Sequence, residues 1–271
     1  MIYKIFKNSM LTIFAAAILV PSSIVILGSF KTDVEIYTKP LALPLHWNLN
    51  NFRTLIATGS VWTPFKNSVF VAVFSVLITI FLASMVAFAI ARSITITGKV
   101  LFAMFSIGLA IPGQVNIIPI FTLFTKLHLN NSLYGLILVN IALTLPISVF
   151  IISAFFRDLP KELFEVASID GANQWRVYRS IAMPLARPAV GATSIFLFVI
   201  CWNDLLYPLM LINELGKKTL PLTLIDFRGE FATSYSMLFT AIMVASIPMV
   251  VMYLLFQRSF VAGLTAGAVK G

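Results

Sequence analysis

Along the chain, long apolar runs alternate with short polar connections, and one connection is far longer than the others. Six runs carry almost no charge: Asn8–Phe30, Ser68–Ala91, Val100–Thr125, Leu129–Phe156, Pro188–Asn213 and Thr233–Gln257. Each is long enough, at about 1.5 Å per helical residue, to cross roughly 30 Å of hydrocarbon. The pattern therefore predicts an all-α integral membrane protein with six transmembrane helices. The first run follows Lys4 and Lys7. Its apolar core is longer than a secretory h-region and has no clear A-x-A site, so it is read as a retained span.

The long polar connection is RDLPKELFEVASIDGANQWRVYRSIAMPLARP, Arg157 to Pro188, which holds nine of the 29 charged side chains. It reads as two short helices with a corner between them. Pro160 suits a first helical turn, where its missing N–H costs nothing, and Glu162 favours the same N-terminus. Leu163, Val166 and Ala167 fall at i, i+3, i+4 and predict a narrow apolar stripe. Gly171 breaks this helix and Pro184 is expected to close the next. In that second helix Trp175, Tyr178 and Ala182 share a face, with Arg176 and Arg179 beside it. By pattern alone the knob is either a docking surface or an ordinary solvated connection.

Composition agrees with the spans: 59% of residues are hydrophobic, 11% are charged, and the mean hydropathy is +0.97. Such values exclude a soluble domain of this length. The single cysteine, Cys201, excludes a disulfide framework or a CxxC pair, and His46 and His128 are too isolated for a zinc site. The net charge of +9 does not indicate nucleic-acid binding, because the basic residues flank apolar spans. With the N-terminus inside, eleven basic residues face the cytoplasm and eight the exterior. That bias places both termini, the Arg92–Lys99 loop and the knob in the cytoplasm.

The longest external segment, Lys31 to Asn67, contains Pro40, Pro44, His46 and Trp47 and is predicted to be irregular, with aromatics at the interface. A second external loop covers Asn213–Ala232. No internal repeat of 20–50 residues and no inverted half-repeat is visible.

Prolines are expected to interrupt most spans: Pro21, Pro112, Pro119, Pro146, Pro208 and Pro248. The run IPGQVNIIP, Ile111 to Pro119, places Gly113, Gln114 and Asn116 between two prolines at membrane depth. It is either a broken helix lining a pathway or a kink with packed amides. Asp204 is the only acidic residue within a predicted span, and a carboxylate there costs at least about 2.5 kcal/mol on insertion scales. It lies in CWNDLLYP beside Trp202 and Asn203. An amide, a carboxylate and aromatic rings suit a sugar, whose hydroxyls need partners and whose C–H faces stack on rings. The other reading is a polar contact holding two helices together.

The chain has no GxxxxGK[ST] loop and so does not hydrolyse ATP by itself. It shows no paired aspartates, Ser–His pair or HExxH for intramembrane proteolysis, and no catalytic or metal-binding set. No cofactor is expected. Energy must come from another subunit or from an ion gradient. In the second case the chain would be an ion-coupled secondary transporter using Asp204.

ELFEVASIDGANQWRVYRSIAMPLARP resembles the EAA loop of binding-protein-dependent ABC importers, roughly E-A-A-x-x-x-G followed by I-x-L-P. Glu165, Ala167 and Gly171 match, as does the Asp170–Gly171 pair. Val166 stands in place of the middle alanine and Met183 in place of the leucine before Pro184. Together with WNDLLYPLML and the tail FVAGLTAGAVKG, this loop makes the chain similar to the smaller, six-span permease of maltose-type carbohydrate importers. The similarity runs from the first span to Gly271.

The resemblance implies a single permease domain over residues 1–271 in a bacterial cytoplasmic membrane, with a coupling loop at 157–188 and a cytoplasmic tail at 259–271. It implies a heterodimer with a second permease, two ATP-binding subunits, an extracytoplasmic solute-binding protein and a sugar substrate. Glu165, Ala167, Asp170 and Gly171 would seat in the ATPase. Gly263, Thr265 and Gly267 would lie along the ATPase interface. Gln114, Asn116, Trp202, Asn203 and Asp204 are the candidate pathway residues.

Overall fold

A computed structural model describes the backbone of residues 2–230 and 234–268, and the side chains of residues 3–225 and 234–257. Among the described residues the regular structure is entirely helical. Four helices are long and apolar enough to cross a membrane unaided: α1 (Ile2–Gly28), α4 (Trp62–Arg92), α7 (Leu133–Arg157) and α14 (Tyr235–Ala268). The count rises to six if two bent pairs each make one span. The first pair is α5 (Ile96–Ala110) and the Gly113–Lys126 segment, bent by 88°; the latter is one 3₁₀ turn leading into α6 (Ile117–Lys126).

The second bent pair corrects the expected helix ends. Helix α8 (Lys161–Ile169) is followed by α9 (Gln174–Val177), one π-helical turn (Tyr178–Ala182) and a last short turn, α10 (Met183–Leu185). Pro184 does not close this helix. The path bends by 75° only at Ala186, where α11 (Arg187–Trp202) begins. The π-turn leaves room for the ring of Pro184 at the start of α10, where the missing N–H costs little. The fifth predicted span is also shorter than its apolar run. Helix α11 stops at Trp202, and α12 (Leu206–Leu211) starts after an irregular step at Asn203–Leu205.

Three prolines expected to interrupt spans do not. Pro21, Pro146 and Pro248 lie inside continuous helices, as membrane helices allow when neighbours accommodate the freed carbonyl. Pro112 marks a true break.

By contacts the chain divides into two compact units, residues 1–66 with 218–248, and residues 67–217 with 249–271. In the first, the segment after Lys31 is less irregular than expected, since it forms α2 (Asp33–Thr38) and α3 (Asn50–Thr58). Helix α2 carries a reciprocal capping box, in which Thr32 Oγ1 accepts from the Glu35 N–H and Glu35 accepts from the Thr32 N–H. Lys31 is buried and donates to the carbonyls of Lys39 and Pro40 at 2.8 and 2.9 Å.

The N–H groups of Thr32 and Leu45 hold the Glu35 carboxyl below its ordinary range. That cap is therefore complete at neutral pH and is lost as pH falls through the lowered value. Amide exchange in α2 is expected to accelerate on acidification in the wild type and to lose that dependence in Glu35→Gln.

The second unit is built around α7, which packs against α5, α11 and α12. Ala83 and Ala87 of α4 are fully buried and let the backbones approach closely, as small residues do between membrane helices. Thr79 of α4 meets Thr144 of α7 at 3.2 Å, a polar contact between two buried hydroxyls. Helix α13 (Leu220–Glu230) and the part of α14 up to Pro248 belong to the first unit.

Candidate functional site

Two features of the second unit bear on function, one at each part of α7. The first is the polar knob. Its corner is Gly171, at φ +71°, a conformation that side-chain-bearing residues adopt only with strain. No atom lies within 4 Å of where a Cβ would stand, so backbone angle and not crowding calls for glycine here. Asn173 caps α9 by accepting the Arg176 N–H at 2.8 Å.

The knob is not loosely tethered. Phe164 and Ala167 of α8, with Val177, Tyr178 and Ala182, enter a core formed by Ala83, Ala87, Phe88 and Ile90 of α4 and by Val149, Ile152 and Phe156 of α7. The Tyr178 hydroxyl meets the Ser84 hydroxyl at 2.8 Å, both buried. The Arg92 guanidinium lies 4.4 Å from the Phe164 ring centroid, closing the core from the end of α4.

This arrangement corrects the predicted stripe. Phe164 and Ala167 form the inward face, whereas Leu163, Val166 and Ile169 are 41%, 58% and 85% exposed. Helix α8 thus has two apolar faces, one packed and one bare. Of the residues matched to the EAA pattern, Glu165, Asp170 and Gly171 are exposed and Ala167 is buried. The bare face borders an open cleft of about 480 Å³ that also takes in Glu162, Asp170, Arg176 and Ile181. On the second helix, Tyr178 and Ala182 are buried, and Trp175 stays half exposed against the Tyr178 ring at 5.3 Å.

The second feature is a cavity of about 490 Å³ where the two helix breaks meet α7. It brings together Gln114, Asn116 and Asp204, three of the five predicted pathway residues. Trp202 and Asn203 are not among its lining. Trp202 is buried against Phe198, their rings 5.7 Å apart, and the Asn203 amide folds back to donate to the Val199 carbonyl at 2.8 Å. That bond caps the end of α11 and explains why the helix stops there.

Asn140, Thr144 and Tyr207 also line the cavity. The Tyr207 hydroxyl donates to the Gly113 carbonyl at 2.8 Å, so one break satisfies a backbone group freed by the other. Thr144 donates to the Asn140 carbonyl at 2.6 Å. Asn140 Nδ2 and Asp204 Oδ2 are buried and have no hydrogen-bond partner among the described residues, a state that costs about 1–3 kcal/mol for each group. Asn140 was hidden in the sequence as a lone amide in the apolar run LILVNIAL.

The C-terminal candidates have no side-chain description. The backbone of α14 is helical to Ala268, but the side chains of Gly263, Thr265 and Gly267 lie outside the described residues.

A polytopic helical chain with a polar cavity among its spans and a rigid knob at one end of them has the architecture of a membrane permease. The profile of the binding-protein-dependent transport system inner membrane component matches residues 75–265. The chain belongs to that family and is a multi-pass inner-membrane protein.

Among its relatives is the diacetylchitobiose uptake system permease NgcG of Streptomyces coelicolor. It is 31% identical over 97% of this chain and 88% of its own. The melibiose/raffinose/stachyose import permease MelC of Bacillus subtilis is 31% identical over 96% of this chain and 94% of its own. The fold is shared with a chain of a bacterial ABC transporter that imports the acidic polysaccharide alginate. The TM-score is 0.83 over 96% of both chains, at 20% identity.

Proposed function

We propose that this chain is the smaller permease of an ATP-driven importer for a sugar or oligosaccharide, with no catalysis of its own. It pairs with a second permease, receives its cargo from an extracytoplasmic binding protein, and takes its energy from two ATP-binding subunits in the cytoplasm. Both termini and the knob face that side, as the charge bias requires. The relatives named for diacetylchitobiose and for melibiose, raffinose and stachyose support a carbohydrate cargo.

The observation that carries the reading is the second apolar face of α8. Leu163, Val166 and Ile169 are bare, flanked by Glu165 and Asp170, while the opposite face is locked to α4 and α7. A helix gripped from outside and rigid on its inner side passes displacement to the spans instead of absorbing it. Closure of the ATPase pair on ATP then pulls α8 and rocks α4 and α7, changing the side to which the pathway opens. The tail with Gly263, Thr265 and Gly267 is assigned to the same ATPase interface.

The test is ATP-dependent uptake by the reconstituted complex. Glu165→Lys and Gly171→Val are each expected to lower uptake at least tenfold, a loss of about 1.4 kcal/mol or more in coupling, with normal amounts of chain in the membrane. Normal uptake in both variants would overturn the coupling assignment. Uptake by the purified chain alone, driven by an ion gradient and lost in Asp204→Asn, would favour the secondary-transporter reading.

A further inference from the structure

Resting on the sugar-importer reading, we infer that the cavity lined by Asn140 and Asp204 is a subsite for an uncharged sugar and discriminates against uronates. Asp204 accepts a hydroxyl proton from the ring and Asn140 donates to a neighbouring oxygen.

Asn140 is 3% exposed, and its Nδ2 finds no acceptor. Asp204 Oδ2 finds no donor among the described residues, while the backbone N–H groups of Tyr207, 3.4 Å from Oδ1, and of Leu206 turn toward the carboxylate. The lining thus includes one residue with an unused donor and one with an unused acceptor, both of these atoms closed to water. A sugar hydroxyl is both donor and acceptor, so a ring entering the cavity can satisfy the two groups once their side chains rotate toward it. Leu109, Ile111, Leu143 and Ile200 supply apolar walls for its C–H faces. At about 490 Å³ the space lies within the roughly 300–1,000 Å³ of small-molecule sites.

Charge sets the selectivity. Among the described residues no lysine or arginine lines the cavity, so a sugar carboxylate would meet the Asp204 carboxylate with none of them to offset it. A neutral sugar meets no such opposition. The relative that imports the acidic polysaccharide alginate shares this fold at only 20% identity, which leaves ample room for a different lining.

The experiment has two stages, so that the general reading and the subsite fail separately. Cells with and without the chain are first fed a mixture of neutral oligosaccharides, and accumulation is followed by mass spectrometry. If uptake of no neutral sugar depends on the chain, the sugar-importer reading fails. Next, the purified complete transporter in nanodiscs is titrated with a transported sugar and with its C6-carboxylate counterpart, made by oxidation of the primary hydroxyl.

The wild type is expected to prefer the neutral sugar by about tenfold or more, and Asp204→Asn to shrink that preference below about threefold. Asn140→Ala and the bulk-preserving Asn140→Leu are expected to weaken binding of the neutral sugar about tenfold. Equal binding of both sugars by the wild type would overturn the proposal, as would an unchanged preference in Asp204→Asn. So would the absence of binding at about 10 mM, or a response of Asp204→Asn confined to sodium dependence.

Discussion

Phe164→Ala is expected to uncouple the transporter while leaving it in the membrane. Phe164 is 3% exposed and sits between the rings of Phe88, 6.5 Å away, and the guanidinium of Arg92, at 4.4 Å. Truncating a buried phenylalanine costs about 3–5 kcal/mol through lost burial and the cavity left behind. The loss is larger here, because Arg92 Nε is already buried without a hydrogen-bond partner and would lose the ring it lies over. The spans do not depend on Phe164, so insertion is expected to be normal. Binding of the ATPase through Leu163, Val166 and Ile169 should also persist, since those side chains project from the other face.

What fails is transmission, because α8 would move without carrying α4 and α7. The measurable outcome is ATP hydrolysis that continues in the assembled complex but no longer responds to loaded binding protein, with uptake reduced at least tenfold. Phe164→Leu, which keeps most of the volume, should retain part of the response. Wild-type uptake in Phe164→Ala would show that the inner face of α8 is not the lever.

The same residue marks the limit of what could be read from the sequence. Leu163, Val166 and Ala167 make a valid i, i+3, i+4 stripe, but Phe164 and Ala167 make an apolar i, i+3 pair that starts one residue later. Periodicity cannot choose between stripes one residue, or about 100°, apart. Phe164 and Ala167 pack inside while Leu163 and Val166 are left bare, and a helix that is apolar on more than one side needs more than one partner.

The spans were legible because runs of this length without charge have almost no other explanation. The break at Ile111–Pro112 was legible as one of two readings, a broken helix or a kink, because two prolines and two amides fall together at that depth. The break after Trp202 carried no such sign. Pro208 lies beyond it, inside α12, and the bond from Asn203 to the Val199 carbonyl that ends α11 is visible only in the folded chain. Asn140 was illegible for the same reason. A lone amide in an apolar helix becomes a site residue only when other elements build a cavity around it.

Helix α7 then links the two functional features. Asn140 and Thr144 line the cavity, and Val149, Ile152 and Phe156 belong to the core that holds the knob. From Asn140 to Phe156 is about 24 Å at 1.5 Å per residue, one continuous helix with Pro146 between. Displacement at α8 needs no diffuse pathway to reach the cavity, because the same helix forms the wall of both.

Asn131→Ala is expected to loosen the opposite end of that wall. Asn131 adopts φ +58° in the turn before α7 and binds the far end of α12 by four contacts. Its N–H donates to the Leu211 carbonyl at 2.7 Å, and its Oδ1 accepts from the N–H groups of Asn213 and Glu214 at 3.1 and 3.0 Å. Its Nδ2 donates to Glu214 at 3.2 Å. The clamp fixes α12, and so Tyr207, against α7. Alanine removes the three side-chain bonds, each worth about 0.5–1.5 kcal/mol, and adds about 1 kcal/mol of left-handed strain. Because the bonds are solvent-accessible, a total of about 2–3 kcal/mol is expected. Asn131→Gly deletes the same bonds without the strain, so thermal unfolding of the purified complex should rank wild type above glycine and glycine above alanine, the last two about 1 kcal/mol apart. If both variants melt like the wild type, the clamp does not hold α12, and the register of the cavity must be set within the membrane by the Tyr207–Gly113 bond alone.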